Sequence, residues 1–276
     1  MIFYDGGFYL KMAGNFMNIL FFGDIIGRNG RLAVKEILPN LRQEYMADIV
    51  IANGENAAGG IGLTPETADE LLSYGIDVIT GGNHIFAHKE MQEAFLTDSN
   101  MPVIRPLNYP QRVMGHGFWI GNKVAIVSVM GRVFINGAFD CPFHSMDAFL
   151  SEHKELPKII IVDLHAEATS EKRALGYYLD GRVSAVLGTH THVATADEQI
   201  LSKGTAYITD VGMVGSAYSV LGNEPKDVIE RFTTGIQNRL PVAKDHHQIV
   251  NGVWVQIDDK SGAALKIERV RREVTV

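Results

Sequence analysis

Cysteine is nearly absent. Cys141 stands alone among 276 residues, so neither an intrachain disulfide nor a cysteine-built zinc site is available. That fits a reducing compartment, and a cytoplasmic location is expected. Clustered positive charge is also missing. The 25 Lys and Arg against 32 Asp and Glu leave a net charge of −7 with no basic stripe, which argues against a long nucleic acid as partner. A small phosphorylated ligand stays compatible, because bound cations can supply positive charge locally. No apolar run approaches the roughly 20 residues a membrane span needs, so no membrane partner is expected. The opening stretch MIFYDGGFYLKMAGNF lacks the basic start and unbroken apolar segment of a signal peptide. Residues 1–16 are therefore expected to be an extension outside the fold, with 17–276 forming a single domain.

What the chain does have is alternation. Apolar residues make up 46%, enough for one sizeable core. From Asn18 onward, short β-prone runs alternate with amphipathic stretches, the pattern of an α/β architecture. Strands are expected at 18–22, 48–52, 76–80, 158–164 and 183–187. Helices are expected over 30–45, where Leu32, Val34, Ile37, Leu38 and Leu41 recur near helical spacing, after Thr64-Pro65, and from about Thr169. Residues 118–129 read as a hairpin turning at Gly121-Asn122, and 252–274 as two antiparallel strands around 259–262. Two packed sheets with helices outside are expected.

Position singles out the chemistry. Asp24, Glu55, Asn83, His165 and His190 each fall just past the carboxyl end of an expected strand, the edge where α/β proteins bind ligands. Carboxylate, carboxamide and imidazole together suit manganese, iron or zinc. Each residue alone has a plainer explanation. Asp24 could cap a helix, Glu55 could be a solvated turn residue, and His165 could be a satisfied core histidine. The His190-x-His192 pair is sharper, since residues two apart point the same way in an extended segment. Five such residues at five strand ends make coincidence a poor account. His88, His116, His144, His153, His246 and His247 lack that placement and read as surface or structural. The Gly59-Gly60-Ile61-Gly62 loop matches no phosphate-binding spacing and reads as a turn.

The strings GDIIGRNGR, NGENAAGGIGLT, GGNH, DLHAEATSEK, GTHTHVATAD and GTAYITDVGM, in this order, resemble the YmdB-like branch of the calcineurin-like metallophosphoesterases. Ile26 stands where ordinary superfamily members carry a histidine, and Glu55-Asn56 stands in place of a bridging aspartate. Both departures belong to that branch. The resemblance implies a four-layer α/β/β/α sandwich and two divalent or mixed-valence metal ions, iron or manganese with zinc as the alternative. It implies that Asp24, Glu55, Asn56 and His192 hold one ion. Asn83, His165 and His190 would hold the other, with Glu55 bridging and His84 catalytic. It further implies phosphodiesterase activity toward 2′,3′-cyclic nucleotides. Phe86 and Ala87 follow Ile85 where the branch often has Trp-Asp, a departure that bears on substrate preference.

Two cations about 3.5–4 Å apart would lower the pKa of a shared water enough to give hydroxide near neutral pH. His84 would stabilise the phosphoryl oxygen or protonate the departing alkoxide. An amidohydrolase barrel also uses His-x-His, but on its first strand, whereas here the pair comes late. A membrane-anchored phosphoesterase of the poly-γ-glutamate synthesis type would need an apolar anchor. A metal-dependent regulatory protein that binds a nucleotide with little turnover is the alternative of a different class. Homo-oligomerisation is compatible with the sequence, though no surface is marked for it.

Overall fold

The computed structural model describes residues 16–153 and 155–276; the expectation about the opening extension lies mostly outside these. In chain order the first elements are β1 (Phe16–Phe22), β2 (Asp24–Ile25), α1 (Gly27–Glu44), β3 (Ile49–Asn53), α2 (Pro65–Ser73), β4 (Val78–Thr80), α3 (Lys89–Thr97) and β5 (Val103–Ile104). The middle of the chain forms β6 (Phe118–Gly121), β7 (Val124–Met130), α4 (Pro142–Glu152), β8 (Ile159–His165), α5 (Thr169–Leu179) and β9 (Ala185–Thr189). Then follow β10 (Gln199–Ile200), β11 (Ala206–Ile208), β12 (Met213–Ser216), α6 (Pro225–Thr234), β13 (His247–Asp258) and β14 (Ala264–Thr275). β1 begins at Phe16, paired with Asp258, so the strand takes in one residue assigned to the extension from sequence.

The strands make two sheets. One runs β2-β12-β13-β1-β3-β4-β5, with β14 added on β13; the other runs β10-β11-β9-β8-β7-β6. Period-two alternation sorts the residues of each strand between two faces. On β1, Ile19 and Phe21 point inward and meet Ile126, Ile161 and Leu187 of the second sheet. Leu20 and Phe22 point outward, where Val34, Leu38 and Leu41 of α1 and Leu71 of α2 cover them. On the far side, α4 and α5 bring Phe149, Leu175 and Leu179 onto Val127, Val162 and Val186. The result is the four-layer α/β/β/α sandwich expected from the resemblance.

Local signals explain several boundaries. The side-chain oxygen of Thr64 accepts the Thr67 N–H at 3.2 Å and Pro65 opens the helix, so α2 starts where expected. The β6–β7 hairpin turns one residue later than expected, at Asn122 and Lys123, with φ of 48° and 68°. Both central residues of a two-residue primed turn need positive φ, and Gly121 is instead the last strand residue. β13 starts five residues before the expected Gly252, because its first half pairs with β12 and its second with β1. Among the described residues no helix is long and apolar enough to cross a membrane.

Candidate metal centre

β3, β4 and β5 run parallel to β1, and β7, β8, β9 and β11 run parallel in the other sheet. The carboxyl ends of both sets open at one end of the sandwich. Glu55 and Asn56 follow β3, Asn83 and His84 follow β4, His165 closes β8, and His190 and His192 follow β9. Asp24 sits in β2, just beyond β1. The helix-cap explanation for Asp24 fails: Ile26 occupies the cap position of α1, with no side-chain cap bond. Instead Asp24 is fully buried, and its Oδ2 accepts the His190 N–H at 3.0 Å.

All eight candidate residues come together. His165 Nε2 lies 3.0 Å from Glu55 Oε1, 3.0 Å from Asn83 Oδ1 and 3.0 Å from His190 Nδ1. Beside it, His192 Nε2 lies 3.3 Å from the Asn56 amide and 3.7 Å from Asp24 Oδ1. The Asn56 amide is 3.5 Å from Asp24 Oδ1. Glu55 Oε2 accepts the His84 N–H at 3.0 Å, which leaves the His84 imidazole on the wall of the adjoining cavity.

Each imidazole has its outer nitrogen committed elsewhere, and that fixes what the inner nitrogen can do. The Thr189 hydroxyl donates to Asp163 Oδ1 at 2.6 Å, so its oxygen is left to accept from His165 Nδ1 at 2.9 Å. His192 Nδ1 donates to the Leu221 carbonyl at 3.0 Å, and His190 Nε2 to Glu167 at 3.2 Å. Lone pairs on all three inner nitrogens then face the carboxylates and amides of the cage. Around His165 Nε2 three further lone-pair atoms converge, Glu55 Oε1, Asn83 Oδ1 and His190 Nδ1, so that a positive charge, either a proton on that nitrogen or a metal ion in its place, has to sit among them. Glu55 Oε1 is buried, and among the described residues its close partner is His165 Nε2, which can donate to it only while that nitrogen carries a proton. Converging lone pairs repel unless a cation sits among them, and Glu55, His165 and His190 have ligand atoms within 4.8 Å of one another. The donor set therefore fits metal ions.

The acid–base shifts follow the same crowding. Burial alone would lower the His165 pKa, but Glu55, Asp24 and Asp163 outweigh it and push the imidazole up to about 9. Burial and the neighbouring His165 take His190 down to about 3. Burial would raise Asp24 and Glu55, yet the imidazoles hold both carboxyls below the ordinary range. Beneath the cage, burial lifts Asp163 to about 6 against its bonds from Thr189 and Thr80.

One expectation is corrected. His190 and His192 do not lie in an extended segment; their φ values are 98° and 64°, in the region L-residues rarely adopt. What turns their rings inward is not period-two alternation but a strained loop. Holding it costs roughly 1–3 kcal/mol per residue, and flanking groups supply the restraint. Lys172 Nζ, buried on α5, donates to the Thr189 carbonyl and to Asp210 Oδ2, both at 2.6 Å. Asp210 Oδ2 also accepts the Thr191 N–H at 3.2 Å. His190 is thus clamped at both neighbours by one ion pair. Gly82 matters for a different reason: a Cβ there would come within 2.4 Å of Glu55 Oε2 and 2.3 Å of His165 Cδ2.

Sequence reasoning missed Asp163, Glu167, Lys172 and Asp210, and with them Asn53, whose amide donates to Asp163 Oδ2 at 3.0 Å beneath the cage. The available signal was a charged residue inside an apolar run, as with Asp163 in IIIVDLH, since an unpaired charge is rarely buried. His88, read from sequence as surface or structural, borders the cavity and bonds the Ile61 carbonyl at 2.9 Å.

Fold and cage together are those of a metallophosphoesterase. Residues 20–270 match the family profile described as YmdB-like protein, and the chain belongs to that family. It is 45% identical over 258 residues to the 2′,3′-cyclic-nucleotide 2′-phosphodiesterase of Bacillus subtilis, covering 92% of this chain and 96% of that protein. Among solved structures it is similar to a hypothetical protein from Thermus thermophilus (TM-score 0.85, 42% identity, 93% and 99% of the two chains). It also resembles a Mycoplasma pneumoniae phosphatase (TM-score 0.87, 34% identity, 95% of each chain). The sulfate thiohydrolase SoxB of T. thermophilus, at 10% identity and TM-score 0.58 over 97% of this chain and 58% of that one, shares the fold alone.

Proposed function

We propose that this protein is a dinuclear-metal phosphodiesterase acting on small nucleotides, with nucleoside 2′,3′-cyclic phosphates as its substrate class and the cytoplasm as its place of action. The observation that carries this is the convergence of Glu55 Oε1, Asn83 Oδ1 and His190 Nδ1, each 3.0 Å from His165 Nε2, with Asp24, Asn56 and His192 beside them. Asp24, Asn56 and His192 would hold one ion and Asn83, His165 and His190 the other, with Glu55 between them. When bound, such ions polarise a phosphoryl group and make a water strongly acidic. Iron or manganese suits the mixed oxygen and imidazole donors, zinc being the alternative.

The chain's own residues supply the rest. Glu55 fixes the His84 backbone through its second oxygen, which holds the imidazole at the mouth of the cage. In hydrolysis a water oxygen forms a new bond to phosphorus while the bond from phosphorus to O2′ breaks. His84 delivers the proton to the departing O2′, and a 3′-phosphate remains. The name of the B. subtilis relative supports this choice of bond. The test is phosphorus NMR of manganese-loaded protein with a nucleoside 2′,3′-cyclic phosphate, alongside metal analysis. A 3′-nucleotide should accumulate, and chelation should abolish it. A fully metallated protein that turns over no cyclic or linear phosphodiester would instead be a nucleotide-binding regulator.

A further inference from the structure

The cage opens into a cavity of about 670 Å³, well within ligand size. Its charge is one-sided. Among the described residues Glu55 is the only acidic one on its wall, and Glu55 is committed to the cage. Two arginines share that wall, Arg231 near the end of α6 and Arg239 in the loop beyond it. Neither has a carboxylate partner among the described residues, although acidic groups outnumber basic ones in the chain. Arg231 donates one Nη2 N–H to the Asn238 carbonyl, which fixes the guanidinium in place. Its Nε is buried, and Nη1 and the second Nη2 proton of the fork are left without an acceptor among the described residues.

The loop that carries Arg239 is anchored. Val242 packs on Gly60, where a Cβ would come within 2.3 Å of its Cγ2. The Glu224 N–H also donates to the Pro241 carbonyl at 2.9 Å. Within the glycine-rich 59–62 turn, Gly60 thus admits the arginine-bearing loop to the cavity wall. The wall holds no Phe, Tyr or Trp among the described residues, so stacking there falls to His84, His88 and the guanidinium planes, which take any base alike. Guanidinium forks match phosphate oxygens.

We propose that Arg231 and Arg239 form a subsite for a second phosphate, so that the preferred substrates are nucleotide phosphodiesters bearing a further phosphate besides the scissile one. Recognition then runs through phosphates, with little discrimination among bases. The proposal rests on the phosphodiesterase reading above and names the substrate within that class.

The experiment compares adenosine 2′,3′-cyclic phosphate with its 5′-phosphorylated form in the manganese-loaded protein, and repeats the second with uridine. The 5′-phosphate should raise kcat/KM by roughly tenfold to a hundredfold, mostly through KM, as expected for charge-assisted hydrogen bonds. Exchanging the base should change it by less than about threefold. Arg239→Gln, at an exposed loop position, should erase most of the preference without depending on the internal bond Arg231 makes, and the double variant with Arg231→Gln should erase it all. Equal kcat/KM for the two adenosine substrates, a preference that survives Arg239→Gln and the double variant, or selection among bases beyond about tenfold would each overturn the proposal. If neither substrate is turned over, the phosphodiesterase reading fails and calorimetry decides the subsite separately. Tighter binding of adenosine 3′,5′-bisphosphate than of adenosine 3′-monophosphate, lost in Arg239→Gln, would uphold it; equal affinities would end it.

Discussion

At the residue scale, the cage depends on side chains that do different things at similar distances. Glu55 faces His165 with one oxygen and the His84 backbone with the other, so Glu55→Gln keeps the shape and removes the charge. Metal occupancy should fall and turnover should drop by roughly two orders of magnitude or more, with the circular dichroism spectrum unchanged. Near-normal turnover in a fully metallated variant would remove Glu55 from the bridging position. His84 touches the cavity but none of the convergent donor atoms, so His84→Ala should keep both metals while kcat falls about 10²–10⁴-fold. Metal content and steady-state rates measured on the same sample separate the two residues. Lys172 belongs to neither role. Its charge is buried against Asp210, and removing one partner of such a pair typically costs about 3–5 kcal/mol. Lys172→Met should therefore lower stability in chemical denaturation and also weaken metal binding, because His190 loses its clamp. A variant that unfolds more easily yet binds metal with wild-type affinity would show that the clamp serves stability alone.

At the element scale, strand ends aim the ligands, but loops hold them. The segment after His192 is tied back by Asp197, whose Oδ1 accepts from the Thr195 hydroxyl at 2.6 Å and the Thr209 N–H at 3.1 Å. Its Oδ2 accepts from the Thr209 hydroxyl at 2.6 Å, with Arg173 at 3.4 Å. Burial would raise the Asp197 pKa, but these bonds and Arg173 outweigh it and hold the carboxyl below the usual range. A folded-state pKa below the unfolded one stabilises above the unfolded value, and that stabilisation is lost as pH falls through the folded value. Asp197→Asn should accordingly lower Tm at about pH 7, by an amount worth about 1 kcal/mol. The gap from wild type should narrow as pH falls through the carboxylate range. A gap that is constant with pH would assign the effect to the hydrogen bonds without the charge.

At the scale of the whole molecule, the cage draws on both sheets. Asp24, Glu55, Asn56 and Asn83 come from one sheet's strand ends, and His165, His190 and His192 from the other's. Ions held there bind the native state only, so their removal should lower Tm. At a hundredfold excess over Kd, one site contributes about 2.7 kcal/mol, which for a chain of this size corresponds to a shift of about 5–10 °C. Calorimetry before and after chelation, and after reloading, checks this; an unchanged Tm would mean that no cation links the sheets.

Residue types and their spacing were enough to determine the α/β class and the main strands. They also marked Asp24, Glu55, Asn83, His165, His190 and His192 as metal-ligand candidates, because strand-end position and ligand chemistry are both written locally. Asn56 and the catalytic role of His84 came from the resemblance to the YmdB-like branch. The ion pair of Lys172 and Asp210, the hydroxyl relay from Asp163 to His165 and the left-handed loop at His190 and His192 were decided only by the tertiary structure. Each joins residues that are far apart in the chain or depends on backbone angles that no local pattern encodes. The cavity's two arginines were equally hidden. Nothing around Arg231 or Arg239 in the sequence distinguishes them from surface charge until the fold carries both to the wall beside the cage.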